Sequence, residues 1–417
     1  MPALKDIVKD NLKLICTTHC TVGRQNGAPK IETRYGMTLS FDEQAIKLVK
    51  QTVDKIRSER SEAKLNFSPN YLEEELFKIV FSCQPLPSGN IDTCLHSEIA
   101  TLIRRLKTST PWVFFIPVLN LRFDNFKKIE IGRVSFYDVN LKSVRYLRSK
   151  FKTKLGSQLS KKDYQEFMQE KISVIAVVKV KAGEKEMGSN KALAEVEKSL
   201  NIIRLFNFTN KFGAQRELSI SSGTEGIYWK NLANNDIGSS HRSLSSYPYF
   251  PFIITKQHIT LMRKKGNLVA FSKLLTSSPP NEVQSKILTS LHWYGLAVKD
   301  DLDIDRFVKL VISLESLILN TGDEPKKYLL ADRSAFILGT DEKSRKEIAN
   351  LVANAYSVRS SIVHEGLFEI SNEQTFSLIM LLRSLIFKLL KLSVSISSLE
   401  EISDKIRDIK FQSPLLI

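Results

Sequence analysis

Near Lys256 the periodicity of the chain changes, and no fold with a single layer plan fits both sides of that change. Before it, short apolar runs alternate at period two, as in Ile129–Tyr137, and are separated by helical patterns in no regular order. The strand-like stretches are Thr33–Phe41, Trp112–Phe123, Lys128–Tyr137, Ile172–Lys181, Arg216–Ser221 and Gly226–Lys230. The helical ones are Asp42–Arg60, Tyr71–Cys83, Ser97–Lys107 and Ala192–Phe206, with loops at Lys185–Asn190 and Gly238–Ser246. After Lys256 the strand signals stop. The Thr276–Pro280 break precedes Val283, Ile287, Leu291, Tyr294 and Val298 at helical spacing, and Arg306–Asn320 then carries one apolar face. A third helix opens at a Ser344-to-Glu347 capping box and runs to Gly366, and a fourth opens at a Ser371-to-Gln374 box. The expected fold is an α+β N-terminal region, residues 1–256, followed by an all-α four-helix bundle, residues 257–417.

Length supports two or three domains, and 42% hydrophobic with 25% charged residues excludes disordered and collagen-like classes. Four cysteines are too few for a disulfide scaffold, and MPALKDIVKD lacks the apolar run of a signal peptide. These features predict a cytoplasmic protein with reduced thiols. The apolar stretch Phe376–Ile396 contains Arg383, Lys388 and Lys391, each costing about 2.5–3.5 kcal/mol at a bilayer centre, so no membrane span is expected.

The net charge of +16 is unevenly placed. Residues 257–417 hold 21 Lys+Arg and 19 Asp+Glu, so the part before them carries +14. Its densest run, Lys142–Lys162, contains Arg145, Arg148, Lys150, Lys152 and Lys154, no acid, and the rings of Tyr146 and Phe151. Cations for phosphates and rings for bases suit a nucleic-acid surface, although a solvated basic face would read the same way.

On the third helix, Ile348, Leu351, Val352, Ala355, Ile362 and Val363 form one apolar stripe, with Arg359 near its middle. A guanidinium there needs a carboxylate, carbonyls or a phosphate. His364 lies about 140° around a straight helix from Arg359. The two could converge in two ways: the last turn unwinds before Gly366, or the stripe is a dimer seam that brings one subunit's histidine to the other's arginine. Glu315, at the edge of the preceding helix's stripe, could pair with Arg359, orient His364, or simply be solvated.

Leu291-His292-Trp293-Tyr294, Phe307 with Leu314–Leu317, Arg333–Gly339 and Tyr356–Gly366, in that order, resemble the ApeA-like branch of the HEPN superfamily over about residues 285–395. The resemblance implies a HEPN-like all-α domain that dimerises so that two Arg-x4-His motifs line a cleft and cut RNA without metal or cofactor. It assigns His364 as general acid/base and Arg359 as phosphate ligand, leaving a 2′,3′-cyclic phosphate and a 5′-hydroxyl. Ser360 follows the arginine where many active members carry Asn, Asp or His, and Gly366 stands where nucleotidylated members carry Tyr. The resemblance also implies antiviral defence, with the N-terminal region sensing a phage-derived or cellular trigger. The alternative is a non-catalytic HEPN-like dimerisation or RNA-binding protein.

Other signals are weaker. Cys16, His19, Cys20, Cys83, Cys94 and His96 do not have the spacing of common zinc sites, and no metal is expected. Glu184-Lys185-Glu186 after a strand resembles part of a metal nuclease, but without an upstream aspartate it reads as a loop of solvated charge.

Overall fold

The computed structural model describes residues 4–23, 27–34, 37–84, 88–138, 172–206, 219–220, 227–231, 237–240, 252–264, 267–277, 279–300, 302–366 and 369–412. Compactness divides the chain into two units: residues 1–114, 179–192 and 229–237, and residues 115–178, 193–228 and 238–417. The change at Lys256 is therefore a change of element type, and compactness places 115–138, 172–178 and 193–206 with the C-terminal helices.

The first unit begins with α1 (Leu4–Leu14) and a π-helical turn at Ile15–His19. Strands β1 (Cys20–Val22), β2 (Lys30–Arg34) and β3 (Met37–Phe41) form a sheet in the order β1-β3-β2, antiparallel throughout. The expected single strand Thr33–Phe41 is thus the end of one strand and the whole of the next. Helices α2 (Glu43–Glu59), α3 (Ser61–Asn66), α4 (Pro69–Cys83) and α5 (Ser88–Leu106) follow. Asp42 and Ser68 cap α2 and α4 through side-chain oxygens, with Pro69 opening α4. Leu12, Ile15, Leu39, Phe41, Val53 and Leu76 meet in one core, where Phe41 and Phe77 pack edge-on at 4.8 Å.

A seven-stranded sheet uses β4 (Thr110–Leu119), β6 (Lys128–Ile131), β7 (Val134–Asp138), β8 (Ile172–Ala182), β9 (Ser219–Ile220), β10 (Ile227–Asn231) and β11 (Ile237–Ser240). Its order is β11-β10-β4-β8-β7-β6, with β9 on β4. The run Trp112–Val118 is buried continuously, as a strand covered on both faces requires. The predicted strand Trp112–Phe123 breaks at Asn120, φ 56°, and its end becomes β5 (Leu121–Asp124), parallel to β12 (Phe252–Thr255). Gly132 turns β6 into β7 at φ 60°, where a Cβ would stand 2.8 Å from the Leu275 side chain, so only glycine fits.

Three further expectations are corrected. Lys185–Asn190 is not a loop: α6 spans Lys185–Leu205. Glu184 is not solvated. It is buried, and its carboxylate accepts from the N–H groups of Ser68, Glu186 and Met187, capping α6 and pinning the residue before α4's first turn. The expectation of reduced thiols fails for Cys83 and Cys94, which are joined in a disulfide across a Cα separation of 5.7 Å, while Cys16 and Cys20 remain free. Their thiols are buried, which pushes the Cys16 pKa up to about 12 and that of Cys20 to about 11.

The C-terminal part is helical: α7 (Lys256–Arg263), α8 (Asn267–Thr276), α9 (Glu282–Lys299), α10 (Asp303–Ile318), α11 (Lys326–Leu338), α12 (Glu342–Glu365), α13 (Asn372–Leu392) and α14 (Leu399–Gln412). The four expected helices are α9, α10, α12 and α13, and α11 packs among them. Among the described residues no helix is long and apolar enough to cross a membrane. Helix α6 is fastened to α9 by a buried charge cluster. Arg204, fully buried, donates to Glu197 at 2.8 Å, and Lys299 reaches the same carboxylate oxygen at 2.6 Å. The approach is close because α9 has Gly295 there; a Cβ would overlap the Asn201 amide. Burial works against charge on Glu197, but Arg204 and Lys299 outweigh it and hold its carboxyl below the usual range.

Candidate functional site

Helix α12 carries the arginine and histidine, and its ends fix how they point. Its N-cap is Asp341, three residues before the expected Ser344. The Asp341 carboxylate accepts from the Ser344 N–H at 2.8 Å, while the Ser344 hydroxyl accepts from the Asp341 N–H at 3.1 Å. Asp341 prevails because a carboxylate at a helix N-terminus also meets the positive end of the dipole, and those N–H groups lower its pKa. At the other end Gly366 takes the left-handed conformation, φ 71°, and its N–H donates to Ser361. The helix runs unbroken through Glu365. Unwinding of the last turn is therefore not how Arg359 and His364 meet, and within one chain they stay about 140° apart.

Burial separates them further. Arg359 is half-buried, and its Nε is enclosed with no hydrogen-bond partner. Among the described residues it makes no ion pair with any carboxylate. His364 is exposed on the other side of the helix. Glu315, half-buried on α10, is not paired with either residue, and Ser360 is half-buried beside the arginine. The structure thus places Arg359, Ser360 and His364 on one helix but assembles no site from them in a single chain. Arg145, Arg148, Lys150, Lys152 and Lys154 lie outside the described residues.

Helix α12 is also poorly covered. Only Val352 and Ala355 of its 24 residues are buried, whereas α13 buries nine of 21. Ile348, Leu351, Val358 and Ile362 are half-exposed and Val363 is 51% exposed, although the sequence places all but Val358 on an inward stripe. Helix α13, which packs on α12, adds exposed Phe376 and Met380, four residues apart. Sequence reading missed these two; their i, i+4 spacing on an otherwise apolar helix was the available signal.

Several of the residues considered for zinc have other partners. His19 pairs with Asp42 at 2.8 Å, His96 with Lys5 at 2.8 Å, and Cys83 with Cys94. Among the described residues no cluster of three or more His, Cys, Asp or Glu could hold a metal ion. Compared with known proteins, the chain matches no family model, no curated protein and no solved structure.

Proposed function

We propose that the chain is a metal-independent endoribonuclease of HEPN type, acting as a homodimer in which Arg359 of one copy and His364 of the other form each site. One observation carries the reading. Among the described residues no carboxylate or carbonyl reaches the Arg359 guanidinium, its Nε is enclosed, and the helix that carries it is half-uncovered, the condition expected of a cation that awaits a phosphate. The unbroken helix keeps the histidine of the same copy away from it, so a second copy supplies the base.

In the proposed reaction His364 takes the proton of a ribose 2′-hydroxyl as its oxygen attacks phosphorus. The bond to the 5′-oxygen breaks as the His364 imidazolium gives the proton it has taken to that oxygen, which leaves as a 5′-hydroxyl. The phosphate closes to the 2′,3′-cyclic form, and Arg359 stabilises the charge on its equatorial oxygens. Cellular location, a trigger sensed by the N-terminal region and an antiviral role belong to the same proposal. The rival reading, a non-catalytic dimerisation or RNA-binding module, draws on the absence, among the described residues, of any side chain orienting His364, with Ser360 and Glu315 both uncommitted.

The test is RNA cleavage by the purified chain in EDTA, beside Arg359→Ala and His364→Ala. Each substitution should lower the rate about 100- to 10,000-fold. Mixing and refolding the two inactive variants should restore about a quarter of the activity, since a mixed dimer rebuilds one of its two sites. Inactive wild type, or equal activity in all three proteins, rejects the nuclease. Active wild type with no recovery on mixing rejects the shared site.

A further inference from the structure

A pocket of about 210 Å³ opens one turn from Arg359 on helix α12. Its walls are apolar: Phe307 from α10, Leu351 and Val358 from α12, Leu378 from α13. Ala355 adds to these walls, and the polar lining is Asn354 from α12, the cap residue Ser371, and Glu373, Gln374 and Ser377 from the first turns of α13. Apolar walls together with hydrogen-bonding side chains suit a heterocycle, which offers an apolar face and a polar edge. The volume is below the about 300–1,000 Å³ of a drug-sized ligand site, which limits the occupant to one ring system.

The polar groups select among such rings. The Gln374 Oε1 accepts from the Ser371 N–H at 3.0 Å, and the Ser371 hydroxyl accepts from the Gln374 N–H at 3.1 Å. This reciprocal cap turns the carbonyl end of Gln374 back to the backbone and leaves its NH2 uncommitted as a donor. Asn354, Glu373 and Ser377 make no hydrogen bond through their side chains among the described residues. The Glu373 carboxylate repels a phosphate and accepts two hydrogen bonds side by side. Among the four RNA bases, guanine alone offers two adjacent N–H donors on one edge, N1–H and N2–H, with an acceptor beside them at O6 for an amide NH2.

From this geometry we infer that the pocket receives one unstacked guanine of the bound RNA, its edge on Glu373 and one face against Leu351 and Val358. The inference rests on the RNA-cleavage reading and adds to it where cleavage occurs: beside a guanine, because the pocket lies within one helical turn of the phosphate-binding arginine.

Fluorescence anisotropy on the full-length His364→Ala chain, which binds without cutting, tests it with hexauridylate and the same hexamer carrying one central guanine, adenine or cytosine. The guanine hexamer should bind about tenfold more tightly than the others, the discrimination of one good bidentate contact. Adding Glu373→Gln, or filling the pocket with Ser377→Leu, should remove that advantage. Equal binding of all four, preference for another base, or a guanine preference indifferent to Glu373→Gln overturns the inference. The two readings fail separately. Guanine preference in a wild type that cuts no RNA rejects the nuclease and keeps the pocket. Cleavage that ignores base identity keeps the nuclease and rejects the pocket, and failure to bind any RNA rejects both.

Discussion

Three arginines of the second unit sit among apolar side chains, and they fall into two regions that treat them differently. Where α6, α9 and the start of α10 meet, Arg204 and Arg306 are fully buried, and although the Nε of each is enclosed without a hydrogen bond, as in Arg359, their terminal nitrogens are matched. Arg204 has Glu197 and the Asn201 amide, and Arg306 has Asp303 and the Asp300 carbonyl, the latter at 2.7 Å. On the C-terminal half of α12, Arg359 is less deeply placed and has no such partner. A guanidinium kept in contact with apolar surface is ordinarily satisfied where the fold alone requires it, as the first region shows. The second region departs from that rule at the residue on which the proposed chemistry depends, and departures of this kind concentrate at functional sites.

The largest effect should come from breaking the matched region. Glu197→Gln leaves Arg204 buried beside a neutral amide and should lower unfolding stability by about 3–5 kcal/mol, measured by urea denaturation. The same carboxyl predicts a pH dependence. Its folded-state pKa lies below the ordinary 4.5, so its stabilisation is complete above pH 4.5 and is lost as pH falls through the lower folded value. The acid limb of stability should therefore flatten in Glu197→Gln. An unchanged limb would show that the cluster does not titrate as described.

A control outside the comparison comes next. Cys83 and Cys94 close a short loop between α4 and α5, and opening it with reductant or Cys94→Ala should cost about 3 kcal/mol, by release of chain entropy in the unfolded state. Peptide mapping without reductant should recover the linked pair; recovery of two free thiols defeats this point. Gly295→Ala, back in the matched region, should cost about 1–3 kcal/mol by forcing a methyl group against Asn201, with a matching fall in the thermal midpoint. A neutral result would mean that α6 can move away from α9 at little cost.

Much of this architecture was legible in the sequence because it is local. The cap at Ser371, the stripe of α10 and the strand expected at Ile172–Lys181 depend on spacing within one element, and they form, the strand one residue longer than read. What was not legible depends on partners distant in the chain. Glu184 looks like loop charge until Ser68 supplies a backbone N–H from 116 residues away, and Cys83 and Cys94 look free until two helices bring them together. The stripe on α12 was read correctly as a stripe, but periodicity tells which residues share a face and not whether anything covers it. Ile362 and Val363 share the face of Val352 and yet are half-exposed and exposed. For the same reason the sequence could place Arg359 on that face but could not tell a matched arginine from an unmatched one.

That distinction carries the smallest predicted effect and the sharpest test of the comparison. Methionine keeps the apolar stem of arginine and removes the guanidinium. At Arg204 such a change strands Glu197 with only Lys299 and should destabilise the fold. At Arg359 it removes a buried donor that bonds to nothing, so stability should change by less than about 0.5 kcal/mol or rise slightly. Cleavage, if the proposal holds, should fall with it about as far as in Arg359→Ala. A loss of about 2 kcal/mol or more in Arg359→Met would show that the guanidinium serves the fold, which would place Arg359 with Arg204 and Arg306 and remove the reason for assigning it a phosphate. Unchanged stability together with lost cleavage would mean that the same side chain is idle in the single chain and needed in the complex with RNA, the combination that separates a binding arginine from a structural one.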